Sequence, residues 1–309
     1  MKSTRHLLSL LAMASMAAAL LTACGSDNGD NDDGGQGQRP SANANANVAT
    51  DDKAVLRLEF PKLDNSGNSM VVVHRTSAST FDKDRVNYSI EWDKQKKSQR
   101  WSCYQMHKGY NGSYSRVIRN YPDDPDIPVD SRWAKDYIYG SGFQHGHICP
   151  SADRTFSYEA NMQTFYMSNM QPQYPKFNGY EGSDKGLWLM MENKVTALAK
   201  QLKSTDTIWV CKGGTIDKEE HIIKRIDGRL IVPKYFFMAI LKKSSLGYAA
   251  FGFWAEQKDQ WATNEKLSKY AMSIDELEKL TGIDFFCNLP DNEEKAVEAA
   301  FYPSYWGLN

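Results

Sequence analysis

Residues 144–154 read Gln144-His145-Gly146-His147-Ile148-Cys149-Pro150-Ser151-Ala152-Asp153-Arg154. Two histidines two positions apart, on a segment that reads as a short strand, project from the same face of it. Gly146 between them leaves room for another part of the chain to come close. Taken alone the pair is ambiguous, because an imidazole serves equally as a base near neutral pH and as a metal ligand. Cys149 continues the alternation. His145, His147 and Cys149 therefore also make a candidate zinc set that would keep an open fourth position.

The flanks supply the frame. Upstream, residues 70–74 read as a strand, and residues 86–92 and 101–107 alternate with aromatics on either side of a polar connection, a hairpin signal. Residues 120–130 are a Pro/Asp-rich loop, and Gly140-Ser141-Gly142 is a turn. Downstream, Leu187, Met190, Met191, Val195, Leu198 and Leu202 recur at helical spacing. Residues 207–211 form a strand pattern. Residues 222–226 and 230–232 flank Asp227-Gly228, a tight-hairpin signal, and residues 235–241 and 248–254 read as buried strands. Ser273-Ile274-Asp275-Glu276 is a capping box opening a helix, with Gly282 at its C-cap. Strands and helices mix without strict alternation. The pattern predicts an α+β fold, a largely antiparallel central sheet flanked by helices.

The chain ends carry different information. Lys2 and Arg5 precede an apolar run from Leu7 to Leu21 that is too short and Ala-rich for a membrane span. It closes with Leu21-Thr22-Ala23-Cys24, the pattern of a lipoprotein signal peptide, with Cys24 as the lipidated residue. Residues 1–23 are thus expected to be a signal peptide. Residues 24–51, rich in Gly, Asn, Asp and Ala, are expected to be a disordered tether. Its acidic cluster (Asp27, Asp30, Asp32, Asp33) either solvates the tether or serves as a surface-export signal. Residues 52–309 are expected to form one folded domain. The expected location is the bacterial cell envelope, anchored to the membrane by lipid and facing the periplasm or the exterior. The net charge of −1 gives no compositional sign of nucleic acid, so basic groups would have to act locally. Cys103, Cys149, Cys211 and Cys287 lack zinc-ribbon spacing, and an oxidising compartment permits disulfides without dictating their pairing.

Further motifs follow the histidines in a fixed order: Ser168-Asn169-Met170-Gln171-Pro172-Gln173, then Phe177-Asn178, then Trp188-Leu189-Met190-Met191-Glu192-Asn193. Arg119-Asn120-Tyr121-Pro122-Asp123-Asp124-Pro125 lies upstream, and residues 273–286 downstream. Together they resemble the DNA/RNA non-specific endonuclease family, whose active site is a ββα-metal (His-Me finger) unit, across about residues 54–306. The resemblance implies that domain 52–309 hydrolyses phosphodiester bonds of DNA and RNA without sequence preference, leaving 5′-phosphates. It implies His147 as the general base and Asn178 as the direct ligand of a divalent metal. It also implies Glu192 on the metal's water shell and Arg119, or Arg116, on the scissile phosphate. Mg2+, with Mn2+ as substitute, is the implied cofactor. Elementary chemistry agrees: a neutral histidine can deprotonate water near pH 7, and a hard cation neutralises charge at an anionic phosphodiester. A planar guanidinium fork matches the phosphate.

Two departures separate the chain from the family pattern. The Asp-Arg pair that precedes Gly-His in the family is Gln144-His145, which removes a carboxylate and a permanent cation. Asn178 stands fourteen positions before Glu192 (192 − 178) and Asp184 eight (192 − 184), where the family has about two helical turns, so Asp184 competes as the metal ligand. Two other readings remain open. One is a nucleic-acid-binding lipoprotein weakened in catalysis; the other is a zinc hydrolase using His145, His147 and Cys149. Asn169 and Gln173 read as hydrogen-bonding scaffold, Asp153 and Arg154 as a structural ion pair, and His74 as a packed or surface histidine. Lys212 could touch a nucleic-acid backbone.

Overall fold

The computed structural model describes residues 43–77, 82–114, 120–179 and 185–308. Its strands are β1 (Ser69–Arg75), β2 (Val86–Asp93), β3 (Ser98–His107), β4 (Gln144–His147), β5 (Met170–Gln173), β6 (Thr207–Gly214), β7 (Ile222–Ile226), β8 (Leu230–Pro233), β9 (Tyr235–Ser244), β10 (Gly247–Glu256) and β11 (Ala271–Met272). The helices are α1 (Tyr158–Gln163), α2 (Pro175–Asn178), α3 (Leu187–Ala199), α4 (Ile274–Thr281) and α5 (Asp291–Ala299). Seven strands make one sheet in the order β1-β2-β3-β6-β9-β10-β11, every neighbour antiparallel. Two ribbons, β4-β5 and β7-β8, stand apart from it.

Period-2 alternation sends successive side chains to opposite faces, and here each face has its own core. Ile208 and Val210 of β6 join Tyr104, Met106, Phe236 and Ile240 in one core, which α3 covers with Leu187, Trp188, Met191, Val195 and Leu198. Trp209 and Cys211 join Trp101, Cys103, Phe237 and Leu241 in the other, covered by Ile274 and Leu277 of α4 and Val297 of α5. Each such buried aliphatic side chain contributes about 1.5–3 kcal/mol. The result is helix, sheet, helix: the α+β architecture that the sequence pattern predicts.

Local signals behave as their chemistry requires. Ser273 Oγ accepts the Glu276 N–H at 3.2 Å while Glu276 Oε2 accepts the Ser273 N–H at 3.1 Å, a reciprocal cap in which the serine is worth about 1 kcal/mol. Asp227 and Gly228 both take positive φ, 51° and 67°, which the tight β7-β8 turn demands. Several elements go beyond the pattern, the two-residue β11 among them. β5 contains Pro172, which argues against a strand, yet it survives in a two-stranded ribbon. α5 reads Asp291-Asn292-Glu293-Glu294, too polar for a helical stripe to show. α1 and α2 are too short to carry one. The four described cysteines are buried free thiols.

The folded part begins before the expected boundary at residue 52. Asn43 Nδ2 donates to Asn288 O at 3.0 Å, and the buried Asn47 donates through Nδ2 to Pro61 O at 2.9 Å while Asn288 Oδ1 accepts its N–H at 3.0 Å. Asparagines that read as tether composition are here used as backbone clamps. Cys24, the signal sequence and the tether up to residue 42 lie outside the described residues.

Candidate active site

Beside the large sheet, β4, β5 and α3 form a ββα unit. β4 and β5 pair with Gln144 opposite Gln173 and His147 opposite Met170. Past the strand end Asn169, fully buried, accepts the Cys149 N–H at 2.8 Å and donates to Cys149 O at 2.9 Å and Thr164 O at 2.8 Å. It is the scaffold residue the motif suggests. Gly146 has its own cause: a Cβ there would lie 2.3 Å from Cδ of Gln173, so the glycine admits the Gln173 side chain against the strand. The two histidines share a face, as their spacing requires. The Tyr121 ring stacks on His145 (3.7 Å, 7°) and meets His147 edge-on at 6.3 Å. Phe165 closes on His147 from another side at 4.9 Å.

From α3, Trp188 Nε1 donates to His147 O at 3.2 Å, tying the helix to the histidine's own backbone. One turn later Glu192 meets Lys212, whose Nζ donates to Glu192 Oε1 at 2.6 Å. The lysine side chain is 1% exposed and the glutamate's 16%. Lys212 also lies over the Trp188 ring at 4.3 Å. Burial raises the Glu192 carboxyl above its ordinary range, and the Lys212 charge opposes that rise. Lys212, a possible nucleic-acid contact by sequence, is in the structure the counter-ion of Glu192. The signal lies in β6, where positions 208, 210 and 212 share the face that α3 covers. Beneath them Asp153 is held by the hydroxyls of Tyr104, Tyr110 and Thr196 at 3.3, 3.4 and 3.2 Å. Arg154 instead stacks on Tyr104 and donates to Gln105 O, so the expected Asp153–Arg154 pair is replaced by hydroxyl contacts.

Asn178 ends α2. Its Nδ2 donates to Gln144 Oε1 at 2.9 Å, which orients the amide and leaves Oδ1 as the end available to a cation. The gap in sequence between Asn178 and α3 closes in space. A Cβ on Gly186 would lie 2.4 Å from Gly179 N and 2.9 Å from the Asn178 carbonyl carbon. Gly179 and Gly186 therefore lie against each other, and Asn178 abuts the start of α3. Asp184, Arg116 and Arg119 lie outside the described residues.

The replacement at 144–145 is also legible. Gln144 holds Asn178 as a neutral acceptor. His145 Nε2 contacts Asp136 Oδ2 at 2.8 Å. Burial keeps the His145 pKa below the ordinary imidazole value in spite of Asp136, so near pH 7 it is mostly neutral and does not replace a permanent cation. The zinc reading fails: His145 is committed to Asp136, and Cys149 is fully buried in the core with its thiol pushed up to about 11 by burial. Among the described residues the three do not form a set of metal-reach donors. His74, Asp124 and Asp126 do come within 4.8 Å of one another. Both ring nitrogens already face carboxylates, at 3.2 Å (Asp124) and 3.4 Å (Asp126). The Asp124 contact is close enough for charge attraction but poorly aligned for a hydrogen bond. The two acids raise the His74 pKa against its burial, which describes an imidazolium clamp on the 120–130 loop. Beyond Tyr121 a cleft of about 80 Å³ opens, lined by Trp133, by Lys97, Arg132 and Lys135, and by the acids Asp123 and Asp136.

The family model described as DNA/RNA non-specific endonuclease matches residues 65–292. The chain belongs to the DNA/RNA non-specific endonuclease family. A nuclease of Nostoc sp. is 29% identical over 222 residues, covering 69% of this chain and 75% of that protein. The mitochondrial nuclease EXOG of Xenopus laevis is 29% identical, over 66% of this chain and 58% of its own length. The human EXOG is 28% identical, over 66% and 56%. The chain thus spans little more than half of the EXOG proteins it matches. Among solved structures, EndoG in the EndoG/EndoGI complex shares the fold with a TM-score of 0.57 at 19% identity, over 74% of this chain and 89% of that one.

Proposed function

We propose that this nuclease-family chain is a lipid-anchored envelope enzyme that hydrolyses DNA and RNA at their phosphodiester bonds, with His147 as general base. The observation that carries the reading is the joining of three expected residues around β4. His147 is tied to α3 through Trp188, Glu192 stands one turn further on, and Asn178 is pinned by Gln144 and the Gly179–Gly186 contact. The donor set fits a hard cation, because an amide oxygen and a carboxylate suit Mg2+ or Mn2+ and no soft ligand is present. Asn178 would hold the cation directly and Glu192 through its water shell; when bound, it would neutralise charge on the phosphate and the leaving oxygen.

The chain's own groups do the rest. The His147 imidazole takes a proton from the attacking water as oxygen bonds to phosphorus and the bond to the 3′ oxygen breaks, leaving a 5′-phosphate. Lys212 opposes the burial that favours a protonated Glu192 and is a positioning residue. Arg119 binds the phosphate. Lys97, Arg132 and Lys135 offer charge to the neighbouring backbone, which carries no sequence information. Mg2+ as the working metal, Cys24 as the anchor and Arg119 as the phosphate ligand belong to the proposal.

The test incubates the protein with plasmid DNA and with RNA in Mg2+, Mn2+, Zn2+ or EDTA. Cleavage of both substrates in Mg2+ or Mn2+, absent in EDTA and abolished by Asn178→Ala, is the expected result. Salt-sensitive DNA binding with no cleavage in any metal would overturn it in favour of a binding protein.

A further inference from the structure

On the sheet face away from His147, α4 and α5 pack against each other and on β10. Asp275 and Glu278, three positions apart, share a face of α4, and Glu298 approaches them from α5. One carboxylate oxygen from each lies within 4.8 Å of the other two. Glu298 is 6% exposed, and its Oε1 has no hydrogen-bond partner. Glu278 Oε1 accepts the Phe285 N–H at 2.8 Å.

The surroundings deepen the negative charge. Asp284 and Glu294 stand next to the group, bridged by the Asn45 amide at 3.0 and 2.8 Å. Burial and these neighbouring acids push Glu278 up to about 7 and Glu298 up to about 9. Lys62, the nearby cation that acts on Glu294, spends its Nζ on the carbonyls of Asn45 and Ala46.

A buried carboxylate without a partner is costly, and a protein resolves it by protonation or by a bound cation. The donors are oxygen only, which selects a hard ion over zinc. Ca2+ accepts several carboxylates in flexible, irregular geometry, whereas Mg2+ demands near-ideal octahedral geometry and keeps several of its waters, so a cluster of three carboxylates from two packed helices suits calcium. We propose that Asp275, Glu278 and Glu298 form a calcium-class cation site that ties α4 to α5 behind the sheet. The site is structural, distinct from the nuclease centre, and does not depend on the nuclease reading.

The experiment is calcium titration calorimetry with thermal unfolding on the full chain, in saturating Mg2+ to occupy the nuclease site. Wild type should take up one Ca2+ and gain about 5 °C in Tm at calcium about 100-fold above Kd. Glu298→Gln should lose both responses and keep wild-type Mg2+-dependent cleavage. Its Tm without calcium should equal or exceed wild type, because the glutamine cannot ionise. Should Glu298→Gln fold poorly, the more exposed Glu278→Gln provides the same test. The proposal is overturned if wild type takes up no Ca2+ in Mg2+, if the folded variant retains the wild-type Tm gain, or if Asn178→Ala removes the uptake instead.

Discussion

Glu192 and Glu298 are both shielded carboxylates on helices, on opposite faces of one sheet, and their surroundings treat them in opposite ways. Glu192 faces Lys212, a lysine 1% exposed on β6, and the two are joined at 2.6 Å. Glu298 faces Asp275 and Glu278 and keeps an oxygen without a hydrogen-bond partner. The first acid has a cation of the chain itself beside it, which opposes the burial that favours its protonated form. The second can lower its energy only by holding a proton or a cation. Burial alone therefore does not decide what a carboxylate is for; the sign of its neighbours does. A third acid lies between these cases. Asp124, also buried, is compensated by His74, whose own charge depends on pH.

The comparison breaks most readily at Lys212. Lys212→Met should cost about 3–5 kcal/mol in urea unfolding, because it strands a buried charge. Adding Glu192→Gln should return most of that stability without returning activity. A single substitution costing under about 1 kcal/mol would mean that Glu192 is not compensated by Lys212.

A smaller effect separates the uncompensated side. Glu298 sits at about 9 in the folded chain against an ordinary 4.5. Between those values the folded chain holds a proton that the unfolded chain has released, so stability falls as pH rises. In calcium-free buffer Glu298→Gln should reduce that fall by about 1–3 kcal/mol between about pH 6 and 8. Identical slopes for the two proteins would place Glu298 in an ordinary environment.

The mildest test concerns His74. Its pKa is raised by Asp124 and Asp126, so its contribution is complete below the ordinary imidazole value and is lost as pH rises through the raised one. Urea unfolding should show His74→Gln about 1–2 kcal/mol less stable than wild type near pH 6, with the gap narrowing by about pH 9. A gap that widens with pH would reverse the assignment of the clamp.

What the sequence made legible follows from how local each signal is. The hairpins, the capping box at Ser273 and the stripe of α3 are written in consecutive residues, and they form as read. His147, Asn178 and Glu192 are candidates from sequence because their motifs keep an order along the chain, and the structure brings Asn178 to Gln144 on β4 and ties α3 to His147 through Trp188. Lys212 and Gln144 take their roles only from partners 20 and 34 residues away in the chain, which no local period records. Pro172 hid β5, and the polar surface of α5 hid a helix that contributes Glu298. The zinc set fails because the alternation does not continue past the strand: β4 ends at His147, and Cys149 turns into the core.

The most direct test of the central claim is single-turnover cleavage by His147→Ala in saturating Mg2+, beside a measurement of its DNA affinity. Loss of the general base should slow cleavage by about 10²–10⁴ with affinity and fold retained. A variant that cleaves within a few-fold of wild type would contradict the assignment of His147 and, with it, the chemistry built on the ββα unit.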